Sequence, residues 1–419
     1  MYDDFKPNEP VESLQAKLDE LNKPVKQVTE TAEITEPTAE IVAPDTKDRT
    51  SVINPETDEV ISKKSRMPFK LKLPQSRKQW IMLAVVVLLI VGGVFGWLSS
   101  HKSKPAIKVI TVKAVVKPKI VVPTTVASTL SGLLVDPSIN ARPVTGVMIE
   151  NSQDARPQSG LSQASVVFEA IAEGGITRFL ALFQDTAPDN VGPIRSARPY
   201  YLQWALGFEA GYAHVGGSPE AIQDIKDWGV RDLDQFYNSG SYHRVNTRIA
   251  PHNVYTGITT LTQLEASKGY TSSNFTGFIR KADSPAKVPT ASTVNINISG
   301  PVYNASYAYS APTNNYLRSE AGAPHIDANT NAQISPRVVI ALVMPYSLEA
   351  DGYHSDYSTI GTGQAFIFQD GLVTVGQWSK TSNASQFTFT DSNGVVVKLN
   401  PGQTWLTTVA NATDVTYAP

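Results

Sequence analysis

Nineteen consecutive positions, Trp80 to Leu98 (WIMLAVVVLLIVGGVFGWL), carry no charge. At about 1.5 Å rise per residue the run nearly matches the roughly 30 Å hydrocarbon core of a bilayer, which predicts one membrane-spanning helix. Trp80 and Trp97 fall where indole rings favour the headgroup layer, and the distance from Met1 argues against a cleaved signal peptide. From Ser99 to about Thr129 lysine, valine and proline alternate without a turn pattern, as expected of an extended stalk.

Folded structure is expected from near Leu130, with a change of character at about 280–292 (RKADSPAKVPTAS). The first part mixes strands and helices. Val144–Ile149 is a short apolar run, and Val166–Phe183 holds two β-rich runs around Gly174-Gly175, a two-residue hairpin signal. YYLQWALGF reads as a helix opened by Ser196 or by Arg198-Pro199, and GYAHV as a buried strand. Ser218-Pro219-Glu220 supplies an N-cap, a proline at the first helical position and an early acid; that helix should run to Trp228 before Gly229. The second part alternates as strands throughout: SYAYS, NYLRS, RVVIALVMPY, AFIFQDGLVTVGQW, FTFTDSNGVVVKL and TWLTTV, with turns at Asp370-Gly371 and Asn393-Gly394. Repeated hairpins of this kind predict a small sandwich or barrel. The fold class expected is therefore α+β: a mixed α/β domain over 130–282 and a mostly-β domain over 292–419, preceded by one transmembrane helix and a disordered tail.

Charge divides the chain further. The total of −2 over 419 residues hides 15 acidic against 6 basic residues in 1–60, 13 basic and no acidic ones in 61–119, and 23 acidic against 17 basic beyond. An acidic, proline-spotted segment with few aromatics cannot bury enough apolar surface to offset its ordering entropy, so residues 1–62 read as a disordered cytoplasmic tail. Residues 63–79 read as a basic juxtamembrane segment, and the basic stretches flanking the helix suit anionic headgroups or envelope polymers. No aromatic-rich basic fold accompanies them, so a nucleic-acid partner is not expected. Arg66, Lys70, Lys72, Arg77 and Lys78 precede the helix and Lys102, Lys104, Lys108 and Lys113 follow it, a small bias towards a cytoplasmic amino terminus and extracytoplasmic outer domains. With no cysteine, disulfides, thiol nucleophiles and thiolate metal sites are excluded.

Candidate chemistry is scattered over the first outer part. A Gly174-Gly175 loop would set Ile171 opposite Arg178 and place Glu169 and Glu173 diagonally beside it, so that two carboxylates and a guanidinium share one surface. Such a cluster suits acid/base work on a glycosidic or phosphoester bond, or equally a solvated sheet face or a structural ion pair. Arg195 and Arg198, three apart at the mouth of a helix, suit an anion, or else pair with nearby acids. His214 ends a strand just before Gly216-Gly217-Ser218, the kind of strand-to-helix turn where α/β proteins bind ligands. His243-Arg244 and Arg248 to His252-Asn253 add basic groups. The histidines lack HxH or HExxH spacing, so no metal is expected, and no cofactor motif or GxSxG elbow occurs.

RPVTGVMIEN, ARPQSGLSQASVVFEAIAEGGITRFLALF, VGPIRSARPY, AHVGGSPEA and APHNVYT resemble the DUF3048 (YerB-like) family of bacterial lipoproteins, whose function is unknown. GTGQAFIFQDG, GQW and LNPGQTW are similar to that family's carboxyl-terminal domain. The likeness covers about residues 130–415 and implies an envelope-tethered, extracytoplasmic two-domain protein; members often carry a lipidated cysteine, which the spanning helix must replace here. It implies no activity for Arg142, Arg156, Glu169, Glu173, Arg178, Arg195, Arg198, His214 or His252, which lie in the family-like segments. Two functions stay open: binding of cell-wall glycan, an anionic polymer or an envelope protein, with Arg178, Arg195, Arg198 and His252 as ligand-binding candidates, or a hydrolase or transferase using Glu169, Glu173 and His214. The second requires those groups to converge in one cleft.

Overall fold

The computed structural model of the chain describes residues 76–100 and 124–419. The expectations for the tail (1–62), most of the juxtamembrane segment and most of the stalk lie outside the described residues. Helix α1, Arg77–Ser100, contains the apolar run and is long and apolar enough to cross a membrane. The stalk expectation ends too late: Val126–Ala127 already pairs antiparallel with Leu134–Val135, and Ser128 Oγ receives the backbone N–H groups of Leu130 and Ser131.

In the unit that ends at Pro419, fifteen strands build the two principal sheets: the short edge strand Ala323–Pro324, paired to the end of Asn315–Glu320, and fourteen others. In chain order they are β1 (Thr145–Glu150), β2 (Val166–Ile171), β3 (Thr177–Phe183), β4 (Gly211–Ala213), β5 (Arg231–Asp232), β6 (Thr293–Ile296), β7 (Ala305–Ser310), β8 (Asn315–Glu320), β9 (Val338–Val343), β10 (Gly361–Gln369), β11 (Leu372–Lys380), β12 (Thr388–Asp391), β13 (Thr404–Val409) and β14 (Val415–Ala418). Three helices accompany them: α2 (Pro199–Leu206), α3 (Pro219–Asp227) and α4 (Ile258–Ser267). α2 starts at Arg198-Pro199, and α3 has the expected cap, with Ser218 Oγ accepting from Ala221 N at 3.2 Å.

The expected pair of successive domains is corrected by the sheet itself. One ten-stranded sheet runs β12-β11-β10-β9-β13-β2-β3-β1-β4-β5, so strands from both parts of the sequence are hydrogen-bonded into a single layer. β13 is the seam: it pairs in parallel with β9 along its whole length and with β2 from Thr404↔Val166 to Thr407↔Glu169. Being central, β13 is buried at all six positions, as are the first five of β2 and all seven of β3. One face of the sheet carries Met148, Phe168, Leu180, Ile340 and Leu406 against α2 and α3. The other carries Val147, Phe179, Ala181, Val339 and Trp405 against α4 and a five-stranded sheet that includes β8-β7-β6-β14. The small independent sandwich or barrel of the second part is thus replaced by a two-sheet packing in which one sheet also holds the first part's strands.

The Asp370-Gly371 hairpin forms as expected, a two-residue loop between Gln369 and Leu372 with both loop residues at positive φ. The Gly174-Gly175 hairpin does not. Ala170 faces Arg178 and Ile171 faces Thr177, so the loop spans 172–176 and the register differs by one residue from a two-residue turn. Both glycines sit at positive φ inside a short 3-10 turn, Glu173–Gly175, which uses their left-handed tolerance in a wider loop. A slip of one residue changes which side chains share a face. Arg178 therefore lies on Ala170's side of the sheet, and Glu169 points to the other.

Candidate functional site

The register decides the fate of the expected Glu169, Glu173 and Arg178 surface. Glu169, fully buried, accepts from Arg318 Nη2 at 2.9 and 3.0 Å and from Trp405 Nε1 at 2.9 Å, on the face shared with the five-stranded sheet. Glu173, at the hairpin turn, receives Arg178 Nη2 at 2.8 Å and both Nε and Nη2 of Arg198. Burial pushes the Glu173 carboxyl up, but Arg178 and Arg198 outweigh it and hold it at about 2.

Arg195 and Arg198 do not converge on one anion either. The segment around them is extended: Ile194 bridges Ile149 and Ala197 bridges Gly217. Residues three apart in an extended chain point to opposite sides. Arg198 accordingly turns inward to Glu173, while Arg195 reaches Glu150, its Nε 3.3 Å from Oε1. His214 is fully buried, with Nδ1 2.7 Å from the Gly216 carbonyl and Nε2 3.0 Å from Asp232 Oδ1. Glu169, Glu173 and His214 thus occupy three separate internal networks, not one water-accessible cleft.

A different constellation forms at the end of β1. Glu150, 3% exposed, faces His252 Nδ1 at 3.0 Å with both oxygens and accepts from Ser152 Oγ at 2.9 Å as well as pairing with Arg195. A carboxylate on Nδ1 makes that nitrogen the donor and leaves Nε2 directed elsewhere, 4.0 Å from Asp154 Oδ2. The Glu150, Ser152 and His252 trio is not a nucleophilic triad, because serine and carboxylate both sit on Nδ1 (Ser152 Oγ at 3.3 Å).

His252 opens into a groove of about 600 Å³ lined also by Asp154, Arg156, Thr247, Arg248, Ile249 and Ala250. Arg156 is held at its wall by Asn151 Oδ1 (3.0 Å), the Val302 carbonyl (2.9 Å) and Glu320 (3.2 Å). Arg248 is fixed by the carbonyls of Asp154 and Pro157. Arg244 and His243 are exposed just before this segment in the chain. The lining itself carries two guanidiniums and an imidazole against one carboxylate, Asp154, whose side chain is 84% exposed, while the buried Glu320 and Glu150 pair Arg156 and His252 from behind. Such a lining favours anions, and the arginines offer planar, directional donors.

Of the residues singled out from the sequence, His252 lines the groove and Arg195 supports it through Glu150; Glu169, Glu173, Arg178, Arg198 and His214 serve the interior. Sequence reasoning missed Glu150 and Ser152. Glu150 looked like the end of an apolar strand, and the one available signal was a charge placed where a buried strand stops.

The fold and groove define a class: an α+β protein whose two sequence halves interlock through one sheet and which presents a groove lined by arginines and a histidine. Residues 130–271 match the "Protein of unknown function (DUF3048) N-terminal domain" and residues 294–406 match its C-terminal domain. "Putative lipoprotein YerB" of Bacillus subtilis (strain 168) is 30% identical over 256 residues, covering 60% of this chain and 76% of that relative. The crystal structure of YerB from Bacillus subtilis superposes with a TM-score of 0.63 at 27% identity, covering 70% of this chain and all of that one. The chain belongs to the DUF3048 family.

Proposed function

We propose that this protein is an envelope-tethered binding protein whose Arg156, Arg248 and His252 groove holds an anionic group of a wall polymer, a phosphate or carboxylate carried on a glycan or polyol chain. The observation that carries this reading is the groove itself: two arginines fixed by backbone carbonyls and an imidazole fixed by Glu150 line one concave surface. Preorganised donors lose little freedom on binding. In this reading α1 crosses the membrane once, with the amino terminus in the cytoplasm and the sheet unit outside. The lipoprotein name of the Bacillus relative supports an envelope location.

A polyglycerol-phosphate chain is a suitable probe. Arg248→Ala should weaken its binding to the detergent-solubilised chain by about 1.5–3 kcal/mol, the worth of a charge-assisted hydrogen bond, with the melting temperature little changed. Binding should also fall as salt rises. Equal affinity of Arg248→Ala and the parent protein would remove the groove from the account.

Glycan or phosphoester turnover is a second reading, favoured by one observation: Glu150 holds His252 through Nδ1, so that Nε2 is the ring nitrogen left to the groove, 4.0 Å from Asp154 Oδ2. Incubating the probe with the parent protein and with His252→Ala decides it. Release of glycerol phosphate by the parent alone favours turnover; retention of intact polymer favours binding.

A further inference from the structure

We infer that a second depression, between α3 and the loop following β5, is a subsite for a neutral sugar ring. Its space is about 230 Å³, and Gly216, Lys226, Asp232, Asp234, Phe236 and Tyr237 lie on its lining. That is below the roughly 300–1,000 Å³ of pockets for drug-sized ligands, so it suits one ring of a chain that continues past it.

Phe236 and Tyr237 stand on its rim 63% and 85% exposed, adjacent aromatics that gain little from the fold by being there. Their backbone is nevertheless held in place. Asp234, buried, accepts from Phe236 N and from Gly216 N, both at 3.1 Å, and its carbonyl accepts from Tyr237 N at 3.2 Å. The Phe236 ring lies so close over Gly216 that a Cβ there would come within 2.7 Å of Cε2, and Gly216 sits at φ +58°. The positive φ is what favours glycine here, and its lack of a side chain leaves room for the Phe236 ring to lie over the turn. Rigid aromatics with two rotatable bonds give contact area at low entropy cost.

The polar half of the lining selects the ligand. Asp232, its side chain 37% exposed, is oriented by His214, which explains that histidine's place beneath this depression. Burial raises the Asp232 carboxyl, but the bond from His214 with other partners outweighs this and keeps it below its ordinary value. Asp232 and Asp234 outnumber Lys226 in the lining, and carboxylates accept hydroxyl hydrogens and disfavour anions, the reverse of the Arg156 and Arg248 groove. An aromatic face meets the C–H side of a pyranose while Asp232 takes its equatorial hydroxyls. A flat protein partner would leave the carboxylate-lined concavity unfilled. The inference does not rest on the anionic-polymer reading.

The test uses the full chain in detergent with two neutral probes, chitotetraose and cellotetraose, followed by calorimetry and saturation-transfer NMR. Saturable binding of at least one is expected, with magnetisation transferred to ring C–H protons. The Phe236→Ala/Tyr237→Ala variant should bind ~10-fold or more weakly at an unchanged melting temperature. Arg248→Ala should bind the sugar as the parent does, which separates the two sites. Absence of saturation by either probe up to about 10 mM, or equal binding by the double variant, overturns the assignment. So does loss in the double variant of a protein captured from envelope extract when the parent binds neither sugar.

Discussion

Replacing Arg318 by methionine is expected to cost about 3–5 kcal/mol of folding stability, among the largest effects of any single substitution in this protein. Arg318 lies on β8 of the five-stranded sheet and Glu169 on β2 of the ten-stranded one, and both side chains are 0% exposed. Their contact ties the two sheets together. The guanidinium also lies over the Trp405 ring, 4.7 Å from its centroid, and bonds Tyr307 Oη at 3.3 Å and His325 Nδ1. Burial opposes the charge on Arg318, but Glu169 and Glu320 outweigh it and hold the guanidinium protonated beyond its ordinary range. Burial and the neighbouring Arg318 push His325 well below its usual pKa, which keeps the ring neutral, with Nδ1 accepting from Arg318 and Nε2 donating to Gln158 Oε1 at 2.9 Å. Methionine matches the aliphatic stem but leaves Glu169 in a dry interior with only Trp405 and threonine hydroxyls. The loss comes mostly from that stranded carboxylate, so Glu169→Gln added to Arg318→Met should recover much of it. Urea unfolding of the four proteins in the cycle measures this. A single-variant loss below about 1 kcal/mol would show that the pair does not hold the sheets together.

These buried charges also explain what the sequence made legible and what it did not. Signals confined to a few neighbours were readable: the uncharged run of α1, the Ser218-Pro219 start of α3, and the Asp370-Gly371 turn, whose two residues both need positive φ. Gly174-Gly175 misled because two left-handed glycines fit a five-residue loop as well as a two-residue one. The choice between them depends on what Glu173 meets in space, namely Arg198, 25 residues later. One step of register then sent Glu169 to the opposite face, towards Arg318, 149 residues away. The seam at β13 was equally hidden, since TWLTTV reads as a strand whatever its partners, and its parallel pairing with β2 joins residues more than two hundred positions apart. Local pattern carries the element; only the packed interior carries the partner. The groove was half legible for the same reason. His252 and Arg248 were visible as a basic stretch, whereas Glu150, which orients the histidine, sits at the end of a strand that otherwise reads as core.

Glu173→Gln is the second large effect expected, and pH separates it from a mere packing defect. Arg198 is fully buried and the Arg178 side chain is 7% exposed, and both direct guanidinium nitrogens to this carboxylate. Further bonds from Arg178 to the Ser196 carbonyl (3.2 Å) and from Arg198 to the Ala197 carbonyl (2.6 Å) fix the two arginines against the extended segment. Glutamine keeps the shape and one acceptor but removes the charge that offsets two desolvated cations, so a loss of about 3–5 kcal/mol at neutral pH is expected. The folded-state pKa of Glu173 is depressed from 4.5 to about 2, so the unfolded chain takes up this proton first as pH falls. The stabilisation is therefore complete above about pH 4.5 and drains away as pH drops through about 2, an amount of order 3 kcal/mol. Glutamine has no such proton to bind. Unfolding free energies measured from pH 7 down to about 2.5 should start far apart for the parent and Glu173→Gln and draw together in acid, the parent falling more steeply between about 4.5 and 2.5. A gap that stays constant over that interval would mean the carboxylate is not held by its arginines. The hairpin turn would then be set by its glycines alone, with Arg198 and α2 owing their positions to packing rather than to this charge.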